Sequence, residues 1–193
     1  IDVPISVDTY KAEVARKALK AGASIVNDIS GLRFDPEMAP LVGSENAGVV
    51  IMHIKGTPKD MQKDPRYDDL FGEINSYLAE SVEIARASGV RDERIVVDPG
   101  IGFGKQPEHN LQIIKHLDRF AVHGRPILVG PSRKSFIGLV LGGVPPSERI
   151  EGTAAAVAIS VLNGASIVRV HDVKTMVPVV KVAWAIRNET IAI

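Results

Sequence analysis

The sequence predicts an α/β protein built as a TIM (β/α)8 barrel, with about six of the eight βα units present in a single domain over residues 1–193. Six short runs of mainly apolar, β-branched residues alternate with helical patterns along the chain. Runs without a polar face are typical of strands that helices cover on both sides of a parallel sheet. Every run ends in polar residues, and the strand ends of a barrel are where catalytic groups gather.

Strands and helices follow one another in regular order. The predicted strands are Val3–Thr9, Ser24–Ser30, Gly48–Ile54, Arg94–Gly100, Pro126–Ser132 and Ser166–Asp172. The predicted helices are Lys11–Ala21, Pro36–Val42, Asp69–Ser88, Pro107–Val122, Pro146–Leu162 and Lys174–Asn188, with a further segment after Ser132. Helix ends carry the expected signals, because Gly22 and Gly89 end two helices and Pro107 with Glu108 begins another.

The alternation of strands and helices allows either an open, doubly wound sheet or a barrel. Six strands would complete an open sheet, but polar residues at all six strand ends favour the mouth of a barrel. At about 30 residues per unit, a barrel predicts that two units, or about 60 residues, precede Ile1. We therefore expect the chain to lack the first units of the barrel.

Composition excludes several classes of function. Lys plus Arg and Asp plus Glu both number 23, so the chain has no basic field for nucleic acid or an anionic membrane. The absence of cysteine excludes disulfides, thiolate zinc sites and cysteine nucleophiles, and it is consistent with a cytoplasmic location. The apolar runs are too short to span a bilayer.

The polar residues at the strand ends are the candidate site residues. They are Asp8, Asn27, His53, Asp98, Lys134, Arg169 and His171. Each has a structural alternative that the sequence leaves open. Asp8 could cap the following helix, and Asn27 and Asp98 could be turn residues. His53 could be a packed imidazole and Lys134 could be solvated, whereas Arg169 and His171 share one strand face and are harder to explain structurally.

The glycine-rich segment Asp98–Lys105 matches neither a dinucleotide fingerprint nor a P-loop. It predicts a flexible loop that lets Phe103 approach a planar ligand, or alternatively a simple turn into the next helix. The histidines show no metal-binding spacing, and we expect His109 and His116 to lie on a helix surface. Any metal is therefore expected to arrive with the substrate, as magnesium does with phosphates.

Six stretches in this order resemble the dihydropteroate synthases of the folate pathway. They are Pro4–Thr9, Val26–Gly31, Val50–His53, Asp98–Lys105, Gly130–Phe136 and Val168–Val173, and they are distributed over nearly the whole length of the chain. The resemblance implies a transferase that joins 7,8-dihydropterin-6-ylmethyl diphosphate to 4-aminobenzoate and releases pyrophosphate. It also implies Mg²⁺, sensitivity to sulfonamides and a homodimer formed through late helices such as Lys174–Asn188.

The resemblance also implies a role for each site residue. The pterin would be bound by Asp8, Asn27, Met52, Asp98, Phe103 and Lys134. The diphosphate would be bound by Arg169 and His171, and the 4-aminobenzoate by Phe103, Lys134 and Ser135. The catalytic residues would be Asp8, Lys134, Arg169 and His171. No magnesium ligand is expected within the chain, because the family's first strand and mobile loop, which supply it, have no match here.

Two other functions remain open at this point. A pterin-dependent methyltransferase would share the Asp and Asn pterin contacts but would not need Arg169, His171 or the Ser132–Phe136 segment, so tight competition by pyrophosphate would argue against it. A non-catalytic pterin-binding module would be a true fragment with a mass near 20.7 kDa. Without the missing units, we expect an open barrel that does not turn over normally.

Overall fold

The computed structural model describes residues 2–191, so the predicted domain ends at Ile1 and Ile193 lie outside the described residues. All six predicted strands are present and all pair in parallel. The strands are β1 Ser6–Asp8, β2 Ile25–Asp28, β3 Gly48–Met52, β4 Ile95–Asp98, β5 Leu128–Val129 and β6 Ile167–Val168. The helices are α1 Ala12–Lys20, α2 Met38–Ser44, α3 Leu70–Ala87, α4 Pro107–Lys115, α5 Ser135–Val140, α6 Ile150–Leu162 and α7 Val173–Asn188.

The chain divides into two compact units. Unit 1 contains the residues up to Ile54, Asp69–Gly100 and His123–Pro126, and unit 2 contains Lys55–Asp68, Ile101–Val122 and the residues from Ile127 onward. Within the described part of the chain, no helix is both long enough and apolar enough to cross a bilayer. The prediction that residues 1–193 form one continuous barrel domain stays a prediction.

Unit 1 is a four-stranded parallel sheet in the order β1-β2-β3-β4, with helices α1 to α3 between successive strands. The strands β2 to β4 are buried as their apolar composition predicts, and Val26, Ile51 and Ile95 are at most 1% exposed. β1 lies at the edge, where Ser6 and Asp8 are exposed. The register pairs Asp8 with Asn27, so the polar ends of β1 and β2 lie side by side.

Unit 2 contains the β5–β6 pair and helices α4 to α7. Each of its strands has only two paired residues, fewer than the apolar runs predict. Helices α6 and α7 pack against each other. Residues of α7 are unevenly buried, since Met176 and Ala183 are buried whereas Val177 and Val182 are exposed.

Two predicted helices are shorter than expected. The predicted helix Pro107–Val122 ends as an α-helix at Lys115 and is followed by a 3-10 helix over Leu117–His123. The physical reason is a side-chain cap, because Asn163 Nδ2 donates to the carbonyls of Ile114 (2.9 Å) and Lys115 (3.1 Å). Likewise, a 3-10 turn precedes α6, which begins only at Ile150 rather than at Pro146.

Candidate active site

Asp8 and Asn27 form a hydrogen-bonded pair at the end of β1 and β2. Asn27 Nδ2 donates to Asp8 Oδ1 at 2.7 Å, and Asn27 is only 3% exposed. Asn27 Oδ1 is buried and has no hydrogen-bond partner among the described residues. A buried acceptor without a partner is costly unless a ligand supplies a donor. The pair therefore presents an oxygen acceptor that a ligand N–H group would satisfy.

The contacts observed for these two residues differ from those that the structural alternatives predict. The first amide of α1 that needs a cap, Ala12 N–H, donates to Asp35 Oδ2 at 2.7 Å rather than to Asp8. The Asn27 side-chain amide donates to a carboxylate and not to a turn carbonyl.

Asp98 and Met52 are register neighbours on β4 and β3. Asp98 is 4% exposed, and its Oδ1 accepts a hydrogen bond from Gly100 N–H at 2.7 Å, so its predicted alternative role in the turn is confirmed. Met52 is 1% exposed and lies in the core of unit 1. His53 is also buried, with its ring edge-on to Tyr77 at 4.8 Å between centroids, which confirms the packed-imidazole alternative.

A buried carboxylate that the sequence did not single out organises the turn after β2. Asp28 accepts hydrogen bonds from Ser30 N–H and Ser30 Oγ, both at 2.7 Å, and from Leu32 N–H at 3.2 Å. Burial raises the pKa of Asp28 despite these donors. Tyr77 donates its hydroxyl to Ser30 O at 2.6 Å, and burial raises the pKa of Tyr77 to about 12. The turn that follows Asn27 is therefore held by its own side chains.

In unit 2, the glycine-rich loop is tied down by hydrogen bonds. Gly102 N–H donates to Asn110 Oδ1 at 2.7 Å, and Gly102 O accepts from Gln62 Nε2 at 2.7 Å. Gly104 O accepts from the Tyr67 hydroxyl at 2.6 Å. Gly102 and Gly104 have φ values of 79° and 62°, which favour glycine. The sequence predicted a flexible loop and did not identify the three side chains that hold it.

Phe103 and Lys134 lie together in unit 2. Lys134 Nζ is 4.3 Å from the centroid of the Phe103 ring, within the range of a cation–π contact. A Cβ atom at Gly102 would be 3.0 Å from Lys134 Cδ, so the glycine leaves room for the lysine stem. Lys134 is half-buried, which contradicts the solvated alternative, and Ser135 is exposed as the first residue of α5.

His109 is partly buried and forms specific contacts, so the prediction that it lies on a helix surface is wrong. Its Nδ1 accepts a hydrogen bond from Gln106 N–H at 3.1 Å at the beginning of α4. Its ring is edge-on to Tyr67 at 5.1 Å between centroids. Partial burial lowers the pKa of His109, which favours the neutral imidazole needed for this acceptor role. No signal in the helical pattern distinguishes such a cap from a surface histidine.

Arg169 and His171 follow β6. Arg169 N–H donates to Val129 O at 2.9 Å, which continues the β5–β6 ladder by one step. Ser132 Oγ lies 2.9 Å from His171 Nδ1, and the two residues are 39 positions apart. Arg169 and His171 thus lie beside the end of β5.

Arg133 next to this pair is held in a strained conformation. Its φ is +57°, and its guanidinium forms a two-point ion pair with Asp172 at 2.5 and 3.0 Å. Its backbone N–H donates to Thr153 Oγ1, and its carbonyl accepts from Arg149 Nη1. The hydrogen bond from Arg133 lowers the pKa of Asp172, and left-handed backbone of this kind persists only when several contacts determine it.

No group of three or more His, Asp or Glu side chains in residues 2–191 is arranged to hold a metal ion. The residues described therefore do not fit a protein-bound metal site.

Comparison with known families agrees with this arrangement of strands and polar strand ends. A family model described as "Pterin binding enzyme" matches residues 1–171, and the chain belongs to this family. Among curated proteins it is similar to the dihydropteroate synthases of Synechocystis sp., at 48% identity over 96% of this chain, and Bacillus subtilis, at 46% over 98%. The chain spans 64% of the length of each of these relatives.

Solved structures of dihydropteroate synthases share the fold. The Yersinia pestis protein in a sulfonamide drug complex has a TM-score of 0.94 and 40% identity, over 98% of this chain and 69% of that one. The Thermus thermophilus protein in complex with 6HMPPP has a TM-score of 0.89 and 41% identity, over 95% and 72%. The Xanthomonas albilineans protein with 4-aminobenzoic acid has a TM-score of 0.88 and 39% identity, over 96% and 65%. The predicted α/β class, a partial TIM barrel, is confirmed.

Proposed function

We propose that the chain carries the larger part of a dihydropteroate synthase, a transferase of folate biosynthesis. It would join 7,8-dihydropterin-6-ylmethyl diphosphate to 4-aminobenzoate and release pyrophosphate. The observation that carries the proposal is the Asp8–Asn27 pair with its buried, unpartnered Oδ1 atom, on a chain 48% identical to such an enzyme. Relatives bound to 6HMPPP and to 4-aminobenzoic acid support the choice of substrates.

The residues of unit 1 would bind the pterin. A pterin edge presents N–H donors next to acceptors, which suits the carboxylate of Asp98 and the oxygen of Asn27. Asp8 would stabilise the positive charge that develops on the 6-methylene group as the C–O bond to the diphosphate breaks. Met52 would contribute apolar contact beneath the ring.

The residues of unit 2 would bind the diphosphate, which leaves, and 4-aminobenzoate, which takes its place. Arg169 and His171 would donate hydrogen bonds to the departing diphosphate, which keeps the electron pair of the broken C–O bond. Phe103, Lys134 and Ser135 would hold 4-aminobenzoate or a sulfonamide in its place, and Phe103 and Lys134 would also contact the pterin. The amine nitrogen forms the new C–N bond and loses one proton, so no activated serine or cysteine is required.

Magnesium would enter with the diphosphate, and the resemblance implies that its protein ligand comes from the family's first strand and loop rather than from the described residues. No step of the reaction is assigned to it. We place the reaction in the cytoplasm, since the chain contains no cysteine and its substrates are small metabolites.

A homodimer through the late helices is also part of the proposal. In α7 the apolar residues Val173, Val177, Val182 and Ile186 are 45–62% exposed, and at about 3.6 residues per turn they lie in two pairs on opposite sides of the helix. Exposed apolar patches of this kind are typical of interfaces between proteins. A second copy of the chain would cover the side of α7 that carries Val182 and Ile186.

The proposal is tested by turnover of the full-length gene product. We expect dihydropteroate and pyrophosphate to form in equal amounts from the two substrates, and pyrophosphate to compete with the pterin diphosphate. Arg169→Met should abolish that competition while leaving the binding of an unphosphorylated pterin unchanged. Formation of no dihydropteroate by the full-length protein would refute the assignment.

A further inference from the structure

We infer that Ser132 is a positioning residue that fixes His171 as the tautomer with hydrogen on Nε2 and aims that N–H group at an anionic ligand. The inference rests on the proposed function for the identity of the anion, which is the diphosphate. The tautomer of the His171 imidazole is independent of the proposed function, because it follows from the contacts of Ser132 alone.

Beyond the last paired residues of β5 and β6, side-chain contacts connect the two segments that follow these strands. The backbone register pairs Leu128 with Ile167 and Val129 with Val168, a constant separation of 39 residues. The Ser132–His171 and Arg133–Asp172 contacts have the same separation of 39. The segment that leaves β6 is thus held to the segment that leaves β5 in the register of the sheet. His171 is therefore placed by the fold and is not simply a loop residue.

The hydrogen atoms of this contact can be assigned by elimination. Ser132 is 4% exposed, and its Oγ contacts two atoms among the described residues, His171 N at 3.2 Å and His171 Nδ1 at 2.9 Å. The backbone N–H of His171 must be a donor, so Ser132 Oγ accepts there. The hydroxyl hydrogen then has one available acceptor, which is His171 Nδ1. If Nδ1 carried a hydrogen, the buried hydroxyl would be left without an acceptor, and such a loss is unfavourable.

The contact with Ser132 determines which nitrogen of His171 can donate a hydrogen bond to a ligand. With Nδ1 accepting from Ser132, the neutral imidazole carries its hydrogen on Nε2, and the exposed ring presents that N–H group away from Ser132. A phosphate oxygen accepts such a hydrogen bond without requiring the imidazole to be charged. Arg169, two residues before His171, supplies the full positive charge for the same anion. Ser132 thus gives His171 one fixed donor direction.

The test compares Ser132→Ala, Ser132→Thr and Ser160→Ala in the full-length protein. Ser160 is a matched control, because it is a buried serine of α6 whose Oγ donates to Ala156 O at 2.7 Å. Long-range ¹⁵N–¹H spectra of histidine-labelled protein at about pH 8.5, where an ordinary imidazole is neutral, report the tautomer directly. Calorimetry with pyrophosphate reports the affinity.

We expect a single Nε2–H tautomer for His171 in the wild type and in Ser160→Ala, and a mixture in Ser132→Ala. Pyrophosphate should bind Ser132→Ala up to about tenfold more weakly, as for the loss of one hydrogen bond, and Ser132→Thr should restore both readouts. An Nδ1–H tautomer in the wild type, or an unchanged spectrum in Ser132→Ala, would overturn the inference. A wild type with the Nε2–H tautomer that does not bind pyrophosphate would uphold the role of Ser132 and refute the diphosphate as its purpose.

Discussion

The direction of one hydrogen bond decides what Asn27 can offer to a ligand. Because its Nδ2 donates to Asp8 Oδ1 at 2.7 Å, its oxygen remains as a buried acceptor without a partner among the described residues. A carboxylate at position 27 would remove the donor to Asp8, since two carboxylates cannot form such a contact unless one of them is protonated. In the proposed site, the contact with Asp8 thus determines that the Asn27 oxygen is the atom left to accept from a ligand N–H group.

Asn27→Asp is expected to weaken pterin binding by at least about tenfold and to lower the free energy of unfolding, because it places two carboxylates in direct contact. The double change Asp8→Asn with Asn27→Asp restores the hydrogen bond with its direction reversed. It should recover the stability, and it should also recover most of the affinity for an unphosphorylated pterin, because the second carboxylate oxygen at position 27 is again an acceptor. Calorimetry with an unphosphorylated pterin and urea unfolding measure the two effects. A double variant that regains its stability but none of its pterin affinity would contradict the proposed role of an oxygen acceptor at position 27.

His123 provides a test of pH dependence at a single residue. Burial lowers the pKa of His123 below its ordinary value of 6.5, and the charge of Arg125 lowers it further. The unfolded chain therefore binds more protons than the folded chain just below pH 6.5, so the free energy of unfolding falls as the pH falls through this window. The neutral ring contacts Asn75 Oδ1 at 2.9 Å.

His123→Gln keeps a donor for Asn75 but does not titrate, so its unfolding free energy should depend less on pH than that of the wild type between about pH 5 and 7. Urea unfolding across this range is the measurement. Equal slopes for the two proteins would show that His123 is not responsible for acid destabilisation.

Segment 55–68 shows how one element determines the position of another. Its residues Gln62 and Tyr67 donate to the carbonyls of Gly102 and Gly104, on either side of Phe103. A Cβ atom at Gly104 would lie 2.3 Å from Lys55 O, so the two backbones touch at this point. The segment thus sets the position of the Phe103 ring, over which Lys134 Nζ lies.

Tyr67→Phe should weaken the binding of 4-aminobenzoate several-fold, because it releases the carbonyl that follows Phe103. Tyr77→Phe is the matched control, since it removes a hydroxyl bonded to Ser30 O at the same distance of 2.6 Å. Both variants should lose about 1 kcal/mol of unfolding free energy. Calorimetry with 4-aminobenzoate separates them, and an equal loss of affinity in both would argue that the segment does not position Phe103.

On the scale of the whole molecule, the proposed homodimer depends on apolar residues of α7 that the described residues leave exposed. Val182 is 61% exposed although the helix buries Met176 and Ala183 on its other side. A helix with apolar residues around most of its circumference is typically buried on more than one side. The described residues cover only one of these sides.

Val182→Lys is expected to convert a dimer into a monomer with little change in the stability of the folded chain, because a charge at an apolar interface must be desolvated. Val14→Lys, on α1 in unit 1, changes an exposed valine of 45% exposure and should leave the dimer intact. Light scattering over a range of protein concentrations distinguishes the two. A monomeric wild type at every concentration would refute the homodimer.

The sequence by itself determined the six strands, their alternation with helices and the polar residue at each strand end. These features depend on side-chain periodicity and on Gly and Pro signals, which act over a few neighbouring residues. Only the tertiary structure decided which contacts these polar residues make. Asn163 ends α4 from 49 residues away, and Ser132 fixes His171 from 39. Such contacts leave no local pattern, because they form only after the chain has brought distant residues together.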